Sequence, residues 1–172
     1  MTNKIVPLNF VFFNIYFNIS YNYLDEVNKF MSIISYTTKE RELLARLMRA
    51  EALGEGDLGM LMVGNVIVNR VIGDCLTFKN IRSINDAVYQ SPGGFSGINS
   101  SLFVGNPTTK ELQLADRILR GEYYHPATNA LWFYAPKTGA TCLALWYEQR
   151  NSGRYKSHCF YIPYEGVCRQ IH

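Results

Sequence analysis

LLARLMRAEALGEGDLGM, residues 43–60, decides how this chain begins to fold. Leu44, Leu47, Met48 and Glu51 follow one another at spacings of three, one and three, which puts them on a single stripe of an amphipathic helix. A carboxylate therefore shares the face that packs inward. Just upstream, TTKE is a capping box, with the Thr37 hydroxyl and the Glu40 carboxylate each able to satisfy a free backbone N–H of the first turn. Gly54 and Gly56 interrupt the helix, and Asp57 is the expected cap of a second one. That second helix, LGMLMVGNVIVNRV, is apolar nearly all round, the pattern of a helix enclosed by the rest of its domain. Asn65 and Asn69 are four apart on one of its faces. Buried amides need partners, so bracing a neighbouring loop is their expected role, with lining a cleft the alternative.

Further along, Gly73 and Asp74 end the second helix, and SINDAVYQ reads as a short helix capped by Ser83. SPGGFSG is a loop in which Gly93 and Gly94 allow close backbone approach, with Phe95 at its tip. Thr108 and Glu111 form a second capping box, Leu112, Ala115, Ile118 and Leu119 a stripe, and Gly121 a stop. The period then changes. ALWFYA at 130–135 and SHCFYI at 157–162 read as strands joined by a long polar segment that includes WYEQRNSGRYK. The expected fold class is α+β, mostly helical, with a small, two-stranded antiparallel element near the C-terminus.

The chain has 172 residues, 48% hydrophobic and 18% charged, enough for one domain with a real core and too few to expect two. A net charge of +3 with no Lys/Arg run argues against nucleic acid, while it suits an anionic polymer such as a cell-wall glycan. The many aromatic residues fit either a rigid core or a sugar-stacking cleft. Cys75, Cys142, Cys159 and Cys168 lack C-x-x-C spacing, so a zinc ribbon is not expected; two disulfides are possible, and buried thiols in a reducing compartment are the default expectation. Residues 1–36 read as an N-terminal extension and 37–172 as the domain. Asn9, Asn14, Asn18 and Asn22 break the apolar start, leaving no run of the roughly 20 residues a membrane span needs. No signal peptide is expected, and residues 1–30 read as lying outside the fold or as upstream sequence not normally translated.

A glutamate at the C-terminal end of an apolar helix face suits a general acid, since an apolar setting disfavours the charged carboxylate and raises its pKa. The plainer reading of Glu51 is an acid satisfied by Arg46, Arg49 or an asparagine.

RAEALGEGDLGMLMVGNVIVNRV resembles the signature of the SleB/CwlJ-type cell-wall hydrolases, an E-A-x-G-E turn followed by a helix ending V-x-N-R-V, here Glu51, Ala52, Gly54, Glu55, Asn69, Arg70 and Val71. VYQSPGGFSG, ALWFYAP and NSGRYKSHCFY correspond in order to the family's later blocks, so the likeness covers roughly residues 38–163. The wording is nearest the CwlJ branch, which consists of the hydrolase domain alone. The resemblance implies a lysozyme-like, lytic-transglycosylase-like fold and cleavage of spore cortex peptidoglycan during germination, by lytic transglycosylase or muramidase action, with Glu51 as catalytic acid.

Around it, Glu55, Gln90, Phe95, Trp132 and Tyr134 are the candidate substrate-binding residues. Glu55 is expected chiefly to hold the turn, Gln90 and Phe95 match the family's loop, and strand alternation places Trp132 and Tyr134 on one face with Phe133 on the other. No metal or cofactor is expected. Implied by resemblance only are a small spore coat protein partner, a response to calcium dipicolinate, and a place at the coat–cortex boundary after synthesis in the mother cell. Two other classes compete. A zinc amidase would draw on His125, His158 and His172, and a non-catalytic glycan-binding coat protein would need no acid at all.

Overall fold

The computed structural model describes residues 31–168 and Ile171. The chain divides into two compact units, Met1–Ser32 and Ile33–His172. Most of the first, including the expected extension over residues 1–30, lies outside the described residues, and so does His172.

Three helices make the core of the second unit. Helix α1, Thr38–Ala52, starts at the expected capping box, with Thr37 and Glu40 bonded reciprocally. It is followed by a single 3-10 turn and by α2, Gly56–Gly73. Asp57 does not cap α2. The preceding residue Glu55 stands at that position without a side-chain cap bond, because its carboxylate is engaged elsewhere, and Asp57 instead pairs with Lys110 at 2.7 Å. From Gly59 to Arg70 every residue of α2 is buried, as its all-round apolar pattern requires. Helix α3, Ile84–Tyr89, is capped by Ser83, and α4, Thr109–Leu119, begins at the second capping box and stops before Gly121.

Leu44, Leu47 and Met48 of α1 pack with Val63 and Ile67 of α2 and Leu114, Ala115 and Ile118 of α4 in one cluster. The three helices meet closely at Gly64, where a methyl group would stand 2.9 Å from Ile118 Cγ1 and 3.1 Å from Met48 Sδ. Two charged pairs lock α1 to α4: Arg41 grips Asp116 at 2.5 and 2.6 Å, and Arg49 reaches Glu111 at 3.1 Å. Arg49 also donates to the carbonyls of Leu102, Val104, Gly105 and Asn106, so one side chain holds a segment that has no ladder of its own.

Asn65 and Asn69 are braces, not cleft residues. Asn65 donates to Glu122 O and accepts from Tyr124 N, while the Asn69 amide faces the carbonyls of Ala127, Thr128 and Ala130. Together they fix the irregular chain that leads from α4 into the sheet.

That sheet has four strands, not the two expected. β1 (Trp132–Tyr134), β2 (Leu145–Trp146), β3 (Gln149–Tyr155) and β4 (His158–Ile162) lie in the order β1-β4-β3-β2, all neighbours antiparallel, with a bulge in β3 at Asn151/Gly153. The polar segment expected as a connection supplies β2 and β3, because ladder bonds are made by the backbone and do not require apolar side chains. The cysteines also differ from the expected thiols: Cys75 is bonded to Cys168 and Cys142 to Cys159. Among the described residues no helix is long and apolar enough to cross a membrane.

Candidate active site

Glu51 sits in the last turn of α1, and its side chain opens into a cleft of about 400 Å³. The cleft is walled by Arg70, the Gly93–Ser96 loop, the aromatic residues of β1, Trp146 and His158. Elsewhere a hollow of about 530 Å³ opens between Arg150, Pro163 and Tyr164, but its carboxylate, Glu165, is exposed. A protonatable acid in apolar surroundings exists only in the first of these two hollows.

Neither Arg46 nor Arg49 neutralises Glu51. Arg46 stacks on Phe103, 5.1 Å from its centroid, and Arg49 is committed to Glu111 and its loop. Glu51 Oε1 instead accepts a 2.6 Å hydrogen bond from Gly97 N–H. Burial raises its pKa, and the Gly97 bond and the Arg70 charge pull it part of the way back. The acid keeps its proton closer to neutrality than an exposed glutamate would, yet a cation stands ready when the proton leaves.

Arg70 is the residue that sequence reasoning left without a role. It is 4% exposed, donates to Leu131 O at 2.9 Å and Gly93 O at 3.0 Å, and lies between the rings of Phe78 and Phe95, 4.5 and 4.2 Å from their centroids. Burial lowers its pKa to about 9 against the opposing pull of Glu51, which leaves it cationic at neutral pH. A lone arginine in an otherwise apolar helix was the available signal, since a buried charge must find partners. By holding Gly93 and Phe95, it ties the loop wall of the cleft to α2. Phe95 is accordingly buried beneath that wall and is not at an exposed tip.

Trp132, Phe133 and Tyr134 all border the cleft, and the expected division of β1 into two faces holds: Phe133 packs with Phe160 and His158, while Tyr134 stacks on Tyr161, which pairs with Trp132 in the register. As a three-residue strand at the sheet edge, β1 presents both of its sides there. Phe133 packs edge-on against His158 at 5.1 Å, and Tyr134 lies 4.8 Å from Trp146. His158 enters the cleft as a ring neighbour and not as the metal ligand expected of an amidase, and Trp146 joins it without a distinguishing motif in the sequence. Burial lowers the His158 pKa while Glu55 raises it, with lowering the net result, so the imidazole is neutral at pH 7.

Glu55 and Gln90 stand apart from this group. Burial raises the Glu55 pKa, but bonds from the Ser157 hydroxyl and N–H, with His158 and Lys156 nearby, outweigh it and hold the carboxyl below its ordinary value. Lys156 Nζ donates to Glu55 O, so the residue clamps the β3–β4 turn onto the α1–α2 junction. The Gln90 amide donates to Thr77 O at 2.7 Å and does not line the cleft. Among the described residues no group of three or more His, Cys, Asp or Glu is placed to hold a metal ion.

Comparison with known proteins adds to this geometry. The family model described as Cell Wall Hydrolase matches residues 54–161. That stretch begins just beyond Glu51, so the case for the carboxylate rests on the cleft. Cell wall hydrolase CwlJ of Oceanobacillus iheyensis is 52% identical over 141 residues, covering 82% of this chain and 99% of the relative. The protein of the same name from Bacillus subtilis is 40% identical over 142 residues, 83% of this chain and 98% of its own length. The fold is similar to the crystal structure of the catalytic domain of the Bacillus cereus SleB protein, with a TM-score of 0.57 and 23% identity over 76% of this chain and 95% of that one. Both the family match and the relatives span most of the domain that builds the cleft, and this enzyme belongs to the cell-wall hydrolase family.

Proposed function

We propose that the protein cuts the glycan strand of spore cortex peptidoglycan during germination, acting as a lytic transglycosylase with Glu51 as general acid and then base. The observation that carries this reading is a half-buried carboxyl of raised pKa at the floor of an aromatic-walled cleft. Glu51 Oε1 is taken up by Gly97 N–H, which leaves Oε2 to hold the proton. That proton goes to the glycosidic oxygen between N-acetylmuramic acid and N-acetylglucosamine as the bond to the muramic C1 breaks. The carboxylate then takes the muramic 6-hydroxyl proton as O6 bonds to C1, closing the anhydro ring without water. Arg70 steadies the transient negative charge between the two transfers.

A muramidase reaction with water would ordinarily use a second carboxylate. Glu55 is bound by Ser157, Asp57 is paired with Lys110, and neither lines the cleft. This favours the anhydro product. Mass spectrometry of muropeptides from digested cortex is expected to show anhydro-muramic ends; new reducing ends would indicate a muramidase, and free stem peptides an amidase. The cleavage rate is expected to fall as pH rises through the raised pKa of Glu51, because the acid form is then lost.

Gly97→Ala tests how Glu51 is held. A methyl group there would stand 2.7 Å from Glu51 Oε1 and 3.1 Å from Ala50 Cβ, so the carboxylate must move. Cortex hydrolysis, followed by turbidity, is expected to fall roughly tenfold to a hundredfold, the scale of effect of a misplaced catalytic group. A variant as fast as wild type would remove Gly97 from the acid's positioning.

The same reading places the enzyme at the coat–cortex boundary, made in the mother cell, with a small coat protein as partner. Resemblance to the CwlJ branch supports this, and two disulfides suit a site outside a reducing interior. Fractionation of spores with an antibody to the protein tests it.

A further inference from the structure

The β2–β3 hairpin ends in Tyr147 and Glu148, both with positive φ, 46° and 66°. Such two-residue turns are filled most easily by Asn-Gly, and a bulky side chain in the left-handed region is an outlier. Tyr147 is nevertheless 81% exposed, so its ring does not compensate by packing into the core. It meets Trp146, the rings 5.0 Å apart, and Trp146 in turn lies against Tyr134 at 4.8 Å and Tyr161 at 5.4 Å. Because Trp146 and Tyr134 both wall the cleft, the aromatic row starts beside the acid and runs outward to the hairpin tip. Strain kept at an exposed position commonly marks a functional site.

We propose that Trp146 and Tyr147 form a sugar-stacking subsite that runs from the wall of the cleft to the hairpin tip and holds pyranose rings of the glycan strand some distance from the scissile bond. This rests on the reading of a glycan substrate given above. A pyranose presents a face of C–H groups that fits the negative face of an aromatic ring, and a polymer already lying in the cleft needs support where it leaves. The occupant is therefore the continuing strand and not a second protein. Tyr147 grips substrate without taking part in proton transfer.

The test uses the full chain carrying Glu51→Gln, so that binding is read without turnover. Co-sedimentation is measured with insoluble peptidoglycan and with the same polymer stripped of its stem peptides. Tyr147→Asn suits the left-handed turn and preserves the hairpin; it is expected to bind both polymers about tenfold more weakly, one ring's worth of contact. Tyr147→Trp is expected to retain binding, and short disaccharide fragments to bind all variants alike. The subsite is overturned if Tyr147→Asn binds stripped glycan like its parent, or if the loss appears only when stem peptides are present. Failure of the glycan-cleavage reading would show separately, as free stem peptides released by the wild-type enzyme.

Discussion

Glu51→Gln is expected to lower glycan cleavage by about a thousandfold or more while leaving the domain folded, a loss within the range of a positioned general acid. The amide has the shape of the acid and can still accept the Gly97 N–H bond, so α1 and the loop wall keep their geometry. What disappears is the proton at Oε2. The variant should also lose a pH dependence of stability. Because burial raises the Glu51 pKa in the folded state, the protonated side chain favours folding below its unfolded pKa, and that contribution fades as pH rises through the folded one. Thermal melts of the two proteins should therefore converge at low pH, with the variant the more stable near neutrality. Muropeptide release measured beside the melts separates a dead enzyme from an unfolded one. A variant that still cuts cortex would remove proton donation from Glu51 and with it the proposed mechanism.

Removing the Cys75–Cys168 bond by replacing both residues with serine is expected to cost about 4–5 kcal/mol, the loop-closure value for its separation of 93 residues. For a domain of this size the melting temperature should drop on the order of 15 °C. The shorter Cys142–Cys159 loop, with a separation of 17, should cost about 3 kcal/mol. Calorimetry of both variants, with a thiol count on the unreduced wild type, checks the two values. Four free thiols in a stable wild-type protein would overturn the pairing.

Neither bond was legible in advance, because four cysteines allow three pairings and nothing in the spacing chooses among them. The helices were legible for the opposite reason: capping boxes at Thr37 and Thr108 and the stripe of α1 are local patterns whose cause lies within a few residues. The polar β3 was missed because its place in the sheet depends on β4, a partner that its own side chains do not announce. At the site, Glu51, Phe95, Trp132 and Tyr134 line one cleft, whereas Gln90 turns to a carbonyl and Glu55 to a hairpin. The position of Arg70 between two rings, from elements on either side of it, could not be read from α2 alone.

The grip of Arg49 on the carbonyls of residues 102–106 has a kinetic meaning. A segment held by a ladder opens one rung at a time, but here the carbonyls of four residues share one guanidinium, so its departure would leave the segment anchored only by the buried Phe103 and two short turn bonds. Proteases and amide exchange would find this segment before they found the helices. The pivot of that opening is in the last turn of α1, the turn that also carries Glu51, so wear at this segment would reach the seat of the proposed acid.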